Sequence, residues 1–266
     1  MLKVGITGSS GQMGKALLEI IMNDENVELC AAFDAPSSGV VGKDVGNAIG
    51  LKTGINVGCD LGQGLAGCGV LIDFTRPVGT LEHLKYCVKL GIPVVIGTTG
   101  FSQNEREAVR SAAEKIPIVF APNMSVGVNV MFNLVEIAAK ALGRGFDAEI
   151  LESHHSRKVD SPSGTALKMG NLIADVTNRN LDENGIFSRY GNTGKRDPKS
   201  IGFATIRGGD VVGDHTAFFV GMGESVEISH KSRDRSTFAR GAIRAAKYIA
   251  NKSSGLHDMR QVLGLK

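Results

Sequence analysis

Five nearly unbroken apolar runs in the first 125 residues restrict the fold more than any other feature of this sequence. They read LKVGIT, VELCAAF, GVLIDF, IPVVIG and IPIVFA, and they are separated by segments with the apolar spacing of amphipathic helices. A strand with one solvated face alternates apolar and polar residues, whereas a strand covered by helices on both faces does not need to. The pattern therefore predicts an α/β fold built on a parallel sheet with helices on both sides.

After about residue 125 the pattern changes. An apolar helix, VGVNVMFNLVEIAAKAL, leads to a strand, FDAEILESHH, and a polar stretch that we expect to be an exposed loop precedes three strand-like segments, IGFATIRGG, HTAFFVGM and ESVEISHKS. Strands in such quick succession predict a second α+β domain with a mixed, mostly antiparallel sheet. We expect a Rossmann-like doubly wound domain at 1–125, the second domain at 126–235, and a C-terminal helix and tail at 236–266 that return to the first domain.

Composition and charge exclude several classes of protein. The formal net charge of +3 is too small to indicate nucleic acid or a lipid surface as a partner, and no run of eighteen or more apolar residues is present. The first residues lead into a strand without a signal peptide, so we expect a cytoplasmic protein. Cys30, Cys59, Cys68 and Cys87 form no C-x-x-C pair, and we expect unpaired core cysteines and no metal site.

A glycine turn, Gly5-Ile-Thr-Gly8-Ser-Ser-Gly11-Gln-Met-Gly14, joins the first strand to the first helix. Glycines permit a positive φ and a close approach to a pyrophosphate, which the amides at the helix N-terminus can hold. The spacing is G-x-x-G-x-x-G, which purely structural turns share. Asp34 strengthens the dinucleotide interpretation, because it ends the second strand where a carboxylate would bind the ribose hydroxyls, although an ordinary strand-end aspartate is the alternative.

The residues around Asp34 predict a preference for NADH over NADPH. The Asp34 carboxylate would repel a 2′-phosphate, and the next residue is Ala35 instead of a basic side chain. Ser37, Ser38 or Lys43 could still accommodate the phosphate. Two further turns, Gly97–Gly100 and Ala121–Met124, and the segment Asp73–Arg76 also follow predicted strands, at the sheet edge where a nicotinamide would lie.

The stretch ESHHSRKVDSPSGTA, Glu152–Ala166, follows a strand and leads into a helix. Pro162 suits the first helical position with Asp160 or Ser161 as cap, and free amides at the helix start would then bind an anion. A small acid with more than one carboxylate fits this loop, and a solvated basic loop is the alternative. A metal site is disfavoured because adjacent histidines on an extended chain point to opposite faces. The candidate anion-binding residues are His154, His155, Arg157, Lys158, Ser163, Gly164 and Thr165.

This loop resembles the dihydrodipicolinate reductase signature H-H-x-x-K-x-D-x-P-S-G-T-A, at residues 154–166. The resemblance extends along the whole chain through Gly8-x-x-Gly11-x-Met13-Gly14, Asp73-Phe74-Thr75-Arg76-Pro77, Gly97-Thr98-Thr99-Gly100-Phe101, Asn123-Met124-Ser125-x-Gly127-Val128-Asn129, Gly209-Asp210-x-Val212-Gly213-x-His215-Thr216 and Gly255-Leu256-x-Asp258-Met259.

The resemblance implies an NADH- or NADPH-dependent reduction of 4-hydroxy-tetrahydrodipicolinate, a cyclic imine dicarboxylate, to tetrahydrodipicolinate in diaminopimelate and L-lysine biosynthesis. It also implies a homotetramer formed through the sheet of the second domain. In this family pattern His154 is the general acid/base, Lys158 a proton donor, and His155, Gly164 and Thr165 bind substrate. The implied cofactor contacts are Gly8, Ser9, Ser10, Gly11, Gln12 and Met13 at the pyrophosphate, Asp34 at the ribose, and Gly97, Thr98, Thr99, Ala121, Pro122, Asn123 and Met124 at the nicotinamide end.

Three positions depart from the family pattern. Many members carry basic residues where this chain has Gln12 and Ala35, which agrees with the expected preference for NADH, and Ser161 stands where alanine is usual.

Two rival classes remain to be weighed. Extended short-chain dehydrogenases need Tyr-x-x-x-Lys, which Tyr248 and Lys252 match, but we expect that pair to pack on the last helix. A nucleotide-sensing module would leave the residues from His154 to Thr165 unexplained.

Overall fold

A computed structural model describes residues 1–265 of the chain. Its strands are β1 Leu2–Thr7, β2 Val27–Phe33, β3 Val57–Gly58, β4 Val70–Asp73, β5 Val94–Ile96, β6 Pro117–Phe120, β7 Asp147–His154, β8 Gly185–Ile186, β9 Ile201–Arg207, β10 Gly213–Val220, β11 Ser225–Ser232 and β12 Gly255–His257. Its α-helices are α1 Gln12–Ile21, α2 Leu61–Gly64, α3 Pro77–Leu90, α4 Gln103–Ala113, α5 Val126–Leu142, α6 Gly164–Val176, α7 Leu181–Asn184, α8 Ser236–Ile249 and α9 Met259–Leu263.

The first compact unit comprises Met1–Val126 and the chain from Arg235 onward. Its seven strands are all parallel and lie in the order β12-β6-β5-β4-β1-β2-β3. Val70 and Ile72 of β4 pack in one apolar cluster with α1 and α8, whereas Leu71 packs in another with α3 and α4. Because successive strand residues face opposite sides, the sheet is covered by helices on both faces, which confirms the predicted Rossmann-like fold.

Helix α8 completes the first unit from the far end of the chain. It packs against α1 and across β4, β5 and β6. Its Gly241 lies so close to the turn after β6 that an added Cβ would be 1.7 Å from the carbonyl oxygen of Met124. Lys247 forms an ion pair with Asp24 just beyond α1, at 2.6 Å.

The second compact unit is Gly127–Asp234, with a five-stranded sheet in the order β11-β10-β7-β9-β8. β10 pairs antiparallel with β7 and β11, and β9 pairs parallel with β7 and β8. The sheet is mixed, as predicted, but two of these four pairings are parallel, so by strand pairings it is not mostly antiparallel, which corrects that part of the expectation. Ala148 and Ile150 of β7 pack on one face against Met169 and Ile173 of α6 and against α5. The polar stretch before β9 is tied to β7 by Arg196, which donates hydrogen bonds to the side chains of Asp147 and Glu149 and to the backbone carbonyl of Ala148.

One helical segment in the described part of the chain, Val126–Gly145, is long and apolar enough by length and composition to cross a bilayer. The sequence predicted no such segment. Its 18-residue window has a mean hydropathy of 1.3, and 28% of that window is buried within the protein. Val128, Met131 and Val135 of this helix belong to the core of the second unit.

A disulfide joins Cys30 of β2 to Cys68, which precedes β4, and corrects the expectation that all four cysteines are unpaired. The two Cα atoms are 6.0 Å apart, inside the usual range for a bridge, although the residues are 38 apart in sequence. The sequence could not reveal this proximity because it depends on how the sheet orders its strands. Cys59 is free and exposed, and burial, with the charge of Asp73 adding to it, raises the pKa of the free Cys87 to about 12.

Candidate active site

The turn between β1 and α1 has the geometry of an anion-binding turn. Gly8 has a φ of +68°, which favours glycine, and a Cβ on Gly14 would lie 2.4 Å from the Gly8 carbonyl oxygen. Gly11 caps α1 without a side-chain hydrogen bond to the first-turn amides. Amides in a first turn have no acceptor inside the helix, so the turn can offer them to a phosphate.

Asp34 lies beside this turn. Its carboxylate accepts hydrogen bonds of 2.9 Å from the amides of Ser10 and Ala35. Burial by itself would raise the pKa of Asp34, but these hydrogen bonds lower it overall, so the carboxylate is ionised at neutral pH. Asp34, Gly8, Ser10 and Gly11 line a cavity of about 620 Å³.

Not every residue predicted for the turn reaches that cavity. Ser9 is buried and lines a smaller cavity of about 210 Å³ together with Lys15 and Lys43. The Gln12 side chain accepts a hydrogen bond from Arg235, and Met13 packs against the core.

The turns after β4, β5 and β6 lie at the carboxyl ends of adjacent parallel strands, where ligands bind in open sheets. A Cβ at Gly97 would lie 2.0 Å from the ring of Phe74, so the turn after β5 requires glycine to pack on the segment after β4. Thr98, Thr99 and Pro122 line a cavity of about 280 Å³. Two of the other predicted nicotinamide contacts, Ala121 and Met124, are buried in the core. The side chain of a third, Asn123, accepts a hydrogen bond from the Ser125 amide at 2.9 Å.

Asp73, which ends β4 in the segment that the sequence placed at this edge, is buried and pairs with the half-buried His83 of α3, which the sequence did not single out. His83 Nδ1 lies 2.6 Å from Asp73 Oδ2, and the Thr75 hydroxyl donates to Asp73 Oδ1 at 2.6 Å. Burial alone would raise the pKa of Asp73, but the bond to His83 and those from Thr75 lower it overall. His83 and Arg76 line the cavity that also contains Asp34.

In the second unit, the inward face of β7 changes from apolar to polar towards its carboxyl end. Ala148 and Ile150 belong to the core, and the next two residues on the same face are Glu152 and His154, both buried. His154 Nδ1 lies 2.5 Å from Glu152 Oε2. The Glu152 carboxylate also forms an ion pair with Arg207 of β9 at 2.7 Å.

Histidine 215, on the adjacent strand β10, packs edge-on against His154 with the ring centroids 5.1 Å apart. Its Nε2 lies 2.8 Å from the Ser163 hydroxyl. Burial is the largest of the effects that lower the pKa of His215 to about 3, so this ring is neutral near pH 7. In the sequence, His215 was indicated only by the family resemblance. Ser163 was indicated as a residue whose amide could bind an anion, and not as a partner of His215.

The loop after β7 carries Lys158 near His154. Its ammonium group bonds to both carboxylate oxygens of Asp160 at 2.8 Å, and that hydrogen bond is the main cause of the lowered pKa of Asp160. His155 is half-buried, and Arg157 is exposed.

Helix α6 begins later than the sequence predicted. Its cap is Ser163, whose hydroxyl accepts from the Ala166 amide at 3.2 Å, so Asp160 and Ser161 do not cap it and Pro162 precedes it. The Ser163 amide is not free for an anion, because it donates to Glu152 Oε1 at 3.1 Å. Gly164 and Thr165 form the first turn, where amides have no acceptor within the helix.

The tyrosine and lysine of the rival class pack together at the end of α8. Lys252 Nζ lies 4.7 Å from the centre of the Tyr248 ring, and the Tyr248 hydroxyl lies 3.2 Å from His257 Nδ1. The pair therefore has a packing role that accounts for its spacing.

Comparison with known proteins identifies similar chains over the full length. The family models for the N-terminus and the C-terminus of dihydrodipicolinate reductase match residues 2–124 and 127–263. The 4-hydroxy-tetrahydrodipicolinate reductases of Cupriavidus taiwanensis and Nitrosomonas europaea are 54% and 52% identical over 265 residues, covering 100% of this chain and 100% and 99% of theirs. A dipicolinate-bound dihydrodipicolinate reductase from Paenisporosarcina sp. TG-14 has a TM-score of 0.78 at 26% identity, with 97% of both chains covered.

Proposed function

The chain belongs to the dihydrodipicolinate reductase family, and we propose that His154 and Lys158 are the side chains that move protons when it acts. It is an oxidoreductase of diaminopimelate and lysine biosynthesis that reduces 4-hydroxy-tetrahydrodipicolinate. The observation that carries the assignment is the buried contact of His154 with Glu152, next to Lys158 and to the start of α6. General acids and bases are held in this way by a second group.

The substrate is a dicarboxylate, and the second unit has the donors to bind one. We assign substrate binding to His155, Gly164 and Thr165, since first-turn amides of a 13-residue helix favour a carboxylate. The ion pair of Lys158 with Asp160 is partly exposed, so a substrate carboxylate can compete for the ammonium group at small cost. The same positive groups stabilise the negative charge that develops on the ring during reduction, and His154 supplies a proton there.

A nicotinamide cofactor, when bound, supplies the hydride. The first unit fits such a cofactor: Gly8 has the required φ, the start of α1 offers amides, and the ionised Asp34 suits a ribose. We assign cofactor contacts to residues 8–13, 34, 97–99 and 121–124. Of these, Gly8, Ser10, Gly11 and Asp34 line one cavity, and Thr98, Thr99 and Pro122 line another.

NADH is the proposed preferred cofactor, with NADPH also used. The Asp34 carboxylate disfavours a 2′-phosphate, and Ala35 supplies no positive charge to offset it. Lys43, with Lys15, lines the neighbouring cavity and is the residue through which NADPH would be tolerated.

We also propose that the enzyme is a cytoplasmic homotetramer. Phe203 and Ala217 pack one face of the second sheet against helices, and on the opposite face Ile206 and Val220 are 51% and 44% exposed. Exposed apolar side chains on an otherwise ordered sheet are typical of a subunit interface. Cell fractionation that recovered the protein with membranes would contradict the cytoplasmic assignment.

The test is consumption of NADH and of NADPH with substrate freshly generated by the preceding synthase step. His154→Gln should lower kcat by about 10² to 10⁴ with little change in KM, because it removes an acid that acts in the transition state. Lys158→Ala should behave similarly. His257→Gln in the first unit is the matched control and should keep full activity, and an unchanged kcat for His154→Gln would remove His154 from the role.

A further inference from the structure

We propose that Glu152 is a positioning residue that determines which nitrogen of His154 carries the proton, so that Nε2 is the nitrogen that exchanges a proton with the substrate. The inference rests on the proposed role of His154 and assigns a role to the Glu152–Arg207 pair, which that proposal leaves unexplained.

The Glu152 carboxylate receives only donors. Arg207 donates from two nitrogens, at 2.8 Å to Oε2 and 2.7 Å to Oε1, while the Ser163 amide and the Thr205 hydroxyl donate to Oε1 at 3.1 and 3.3 Å. The side chain is 1% exposed, and burial alone would raise its pKa. The hydrogen bonds from Arg207 and His154 lower that pKa overall, so Glu152 is a carboxylate at neutral pH.

An ionised carboxylate can only accept hydrogen bonds, so the proton between it and His154 lies on Nδ1. In neutral His154 the lone pair is then on Nε2, and in the cation Nε2 carries the transferable proton. Nε2 lies beside Gly213, where an added Cβ would be 3.0 Å away, so any other residue there would crowd this nitrogen.

The charges facing His154 set its basicity in opposite directions. Burial lowers its pKa overall, Glu152 opposes that change, and the positive charges of Lys158 and Arg207 add to the lowering. His215, which packs on the ring from β10, is neutral near pH 7. Of these groups, Glu152 is the one that favours protonation of His154, so removing its charge should lower the pKa of His154 further.

Glu152→Gln tests the inference because one orientation of the amide satisfies more donors than the other. Three donors converge on Oε1, whereas Oε2 receives one from Arg207 in addition to its contact with His154, so the amide oxygen is favoured at the Oε1 position. The amide NH₂ then lies opposite His154 Nδ1, and one Arg207 nitrogen loses its acceptor. An NH₂ group donates, so Nδ1 becomes the acceptor and the proton moves to Nε2. The substitution therefore reverses the tautomer instead of merely weakening a contact.

The experiment measures the tautomer and the kinetics separately. ¹⁵N NMR of histidine-labelled protein above the pKa of His154, with the resonance assigned by its loss in His154→Gln, should show Nδ1–H in the wild type and Nε2–H in Glu152→Gln. For Glu152→Gln, kcat should fall about 10²-fold or more, KM and the Kd for dipicolinate should change less than about threefold, and the limb of the pH–kcat/KM profile that reports His154 should move to lower pH. Glu149→Gln, also on β7 and also paired with arginine, in its case Arg189 and Arg196, is the control and should leave all of these unchanged.

The outcomes separate this inference from the assignment of His154. An Nε2–H tautomer in the wild type would overturn it without the Glu152→Gln variant, so the test does not depend on Glu152→Gln folding. An unchanged kcat and pH limb in a folded Glu152→Gln would also overturn it, leaving Glu152 a structural ion-pair partner. Full activity of His154→Gln would instead refute the assignment of His154, while the tautomer readout would still report on Glu152.

Discussion

At the residue scale, each of the two units contains a carboxylate whose charge is stabilised in the same way. Asp34 and Glu152 are both kept ionised by hydrogen bonds that outweigh the effect of burial. Asp34 was predictable because it ends an apolar strand at a fixed distance from a glycine turn. Glu152 was not singled out, although the alternation of β7 gives it the same face as the buried Ala148 and Ile150, which is an unusual position for a carboxylate and was the available signal.

A first prediction at this scale concerns the cofactor. Ala35→Arg should raise the ratio of kcat/KM for NADPH over that for NADH by about tenfold or more, because a charge-assisted hydrogen bond to a 2′-phosphate contributes about 1.5 to 3 kcal/mol. Initial rates with both cofactors measure the ratio, and Ala35→Gln controls for size. A wild-type ratio well above one would refute the preference for NADH.

A second prediction concerns pH and stability. The pKa of His215 is about 3 in the folded protein and near 6.5 when unfolded, so between these values the unfolded chain binds more protons. Stability from this group is complete above pH 6.5 and is lost as the pH falls, at up to about 1.4 kcal/mol per pH unit. The free energy of unfolding, measured with urea at several pH values between 5 and 7, should rise less steeply with pH for His215→Gln than for the wild type. Equal pH dependences would contradict the assignment of a neutral, buried His215.

At the element scale, the long apolar strands and helices were predictable, and the short elements and pairings were not. The helical segment predicted between the runs IPVVIG and IPIVFA is α4, Gln103–Ala113, and the structure adds a capping box at Ser102. β3, β8 and β12 have only two or three residues and carry no periodic signal. β9 and β10 follow one another in sequence, yet β7 lies between them, since pairing depends on contacts distant in sequence.

The packing of α8 gives a prediction at this scale. Gly241→Ala would bring a Cβ to 1.7 Å from the Met124 carbonyl oxygen, and backbone cannot move aside as a flexible side chain can. The free energy of unfolding should fall by about 1 to 3 kcal/mol or more, which is the typical cost of adding atoms to a well-packed core. Thermal unfolding measures it against Gly39→Ala, where an added Cβ meets nothing within 4 Å, and equal melting temperatures for the two variants would contradict the close contact.

At the scale of the whole molecule, the two kinds of sheet were predictable from patterning, whereas the disulfide was not. Cys30 lies on β2 and Cys68 lies just before β4, and it is the order of the strands in the sheet that brings their Cα atoms to 6.0 Å from one another. Cysteine spacing alone reports local motifs, so a bridge across 38 residues leaves no trace in it.

The homotetramer gives a prediction at this scale. Light scattering should give a molar mass of four times the 28.0 kDa of one chain for the wild type. Ile206→Glu should yield smaller species, because it puts a charge among the apolar residues of the exposed sheet face. Val159→Glu, a change at a fully exposed position outside the sheet, is the control for added charge, and a monomeric wild type would refute the proposal.

The return of α8 and β12 to the first unit has a consequence for synthesis. Six residues of α8 fill the core beneath β4, β5 and β6, and β12 completes the edge next to β6. When the ribosome has translated the chain as far as residue 234, the apolar surface of the first unit that α8 later covers is therefore still exposed. Folding of that unit must therefore wait until α8 and β12 have left the exit tunnel of the ribosome, and until then the exposed apolar surface can be bound by chaperones.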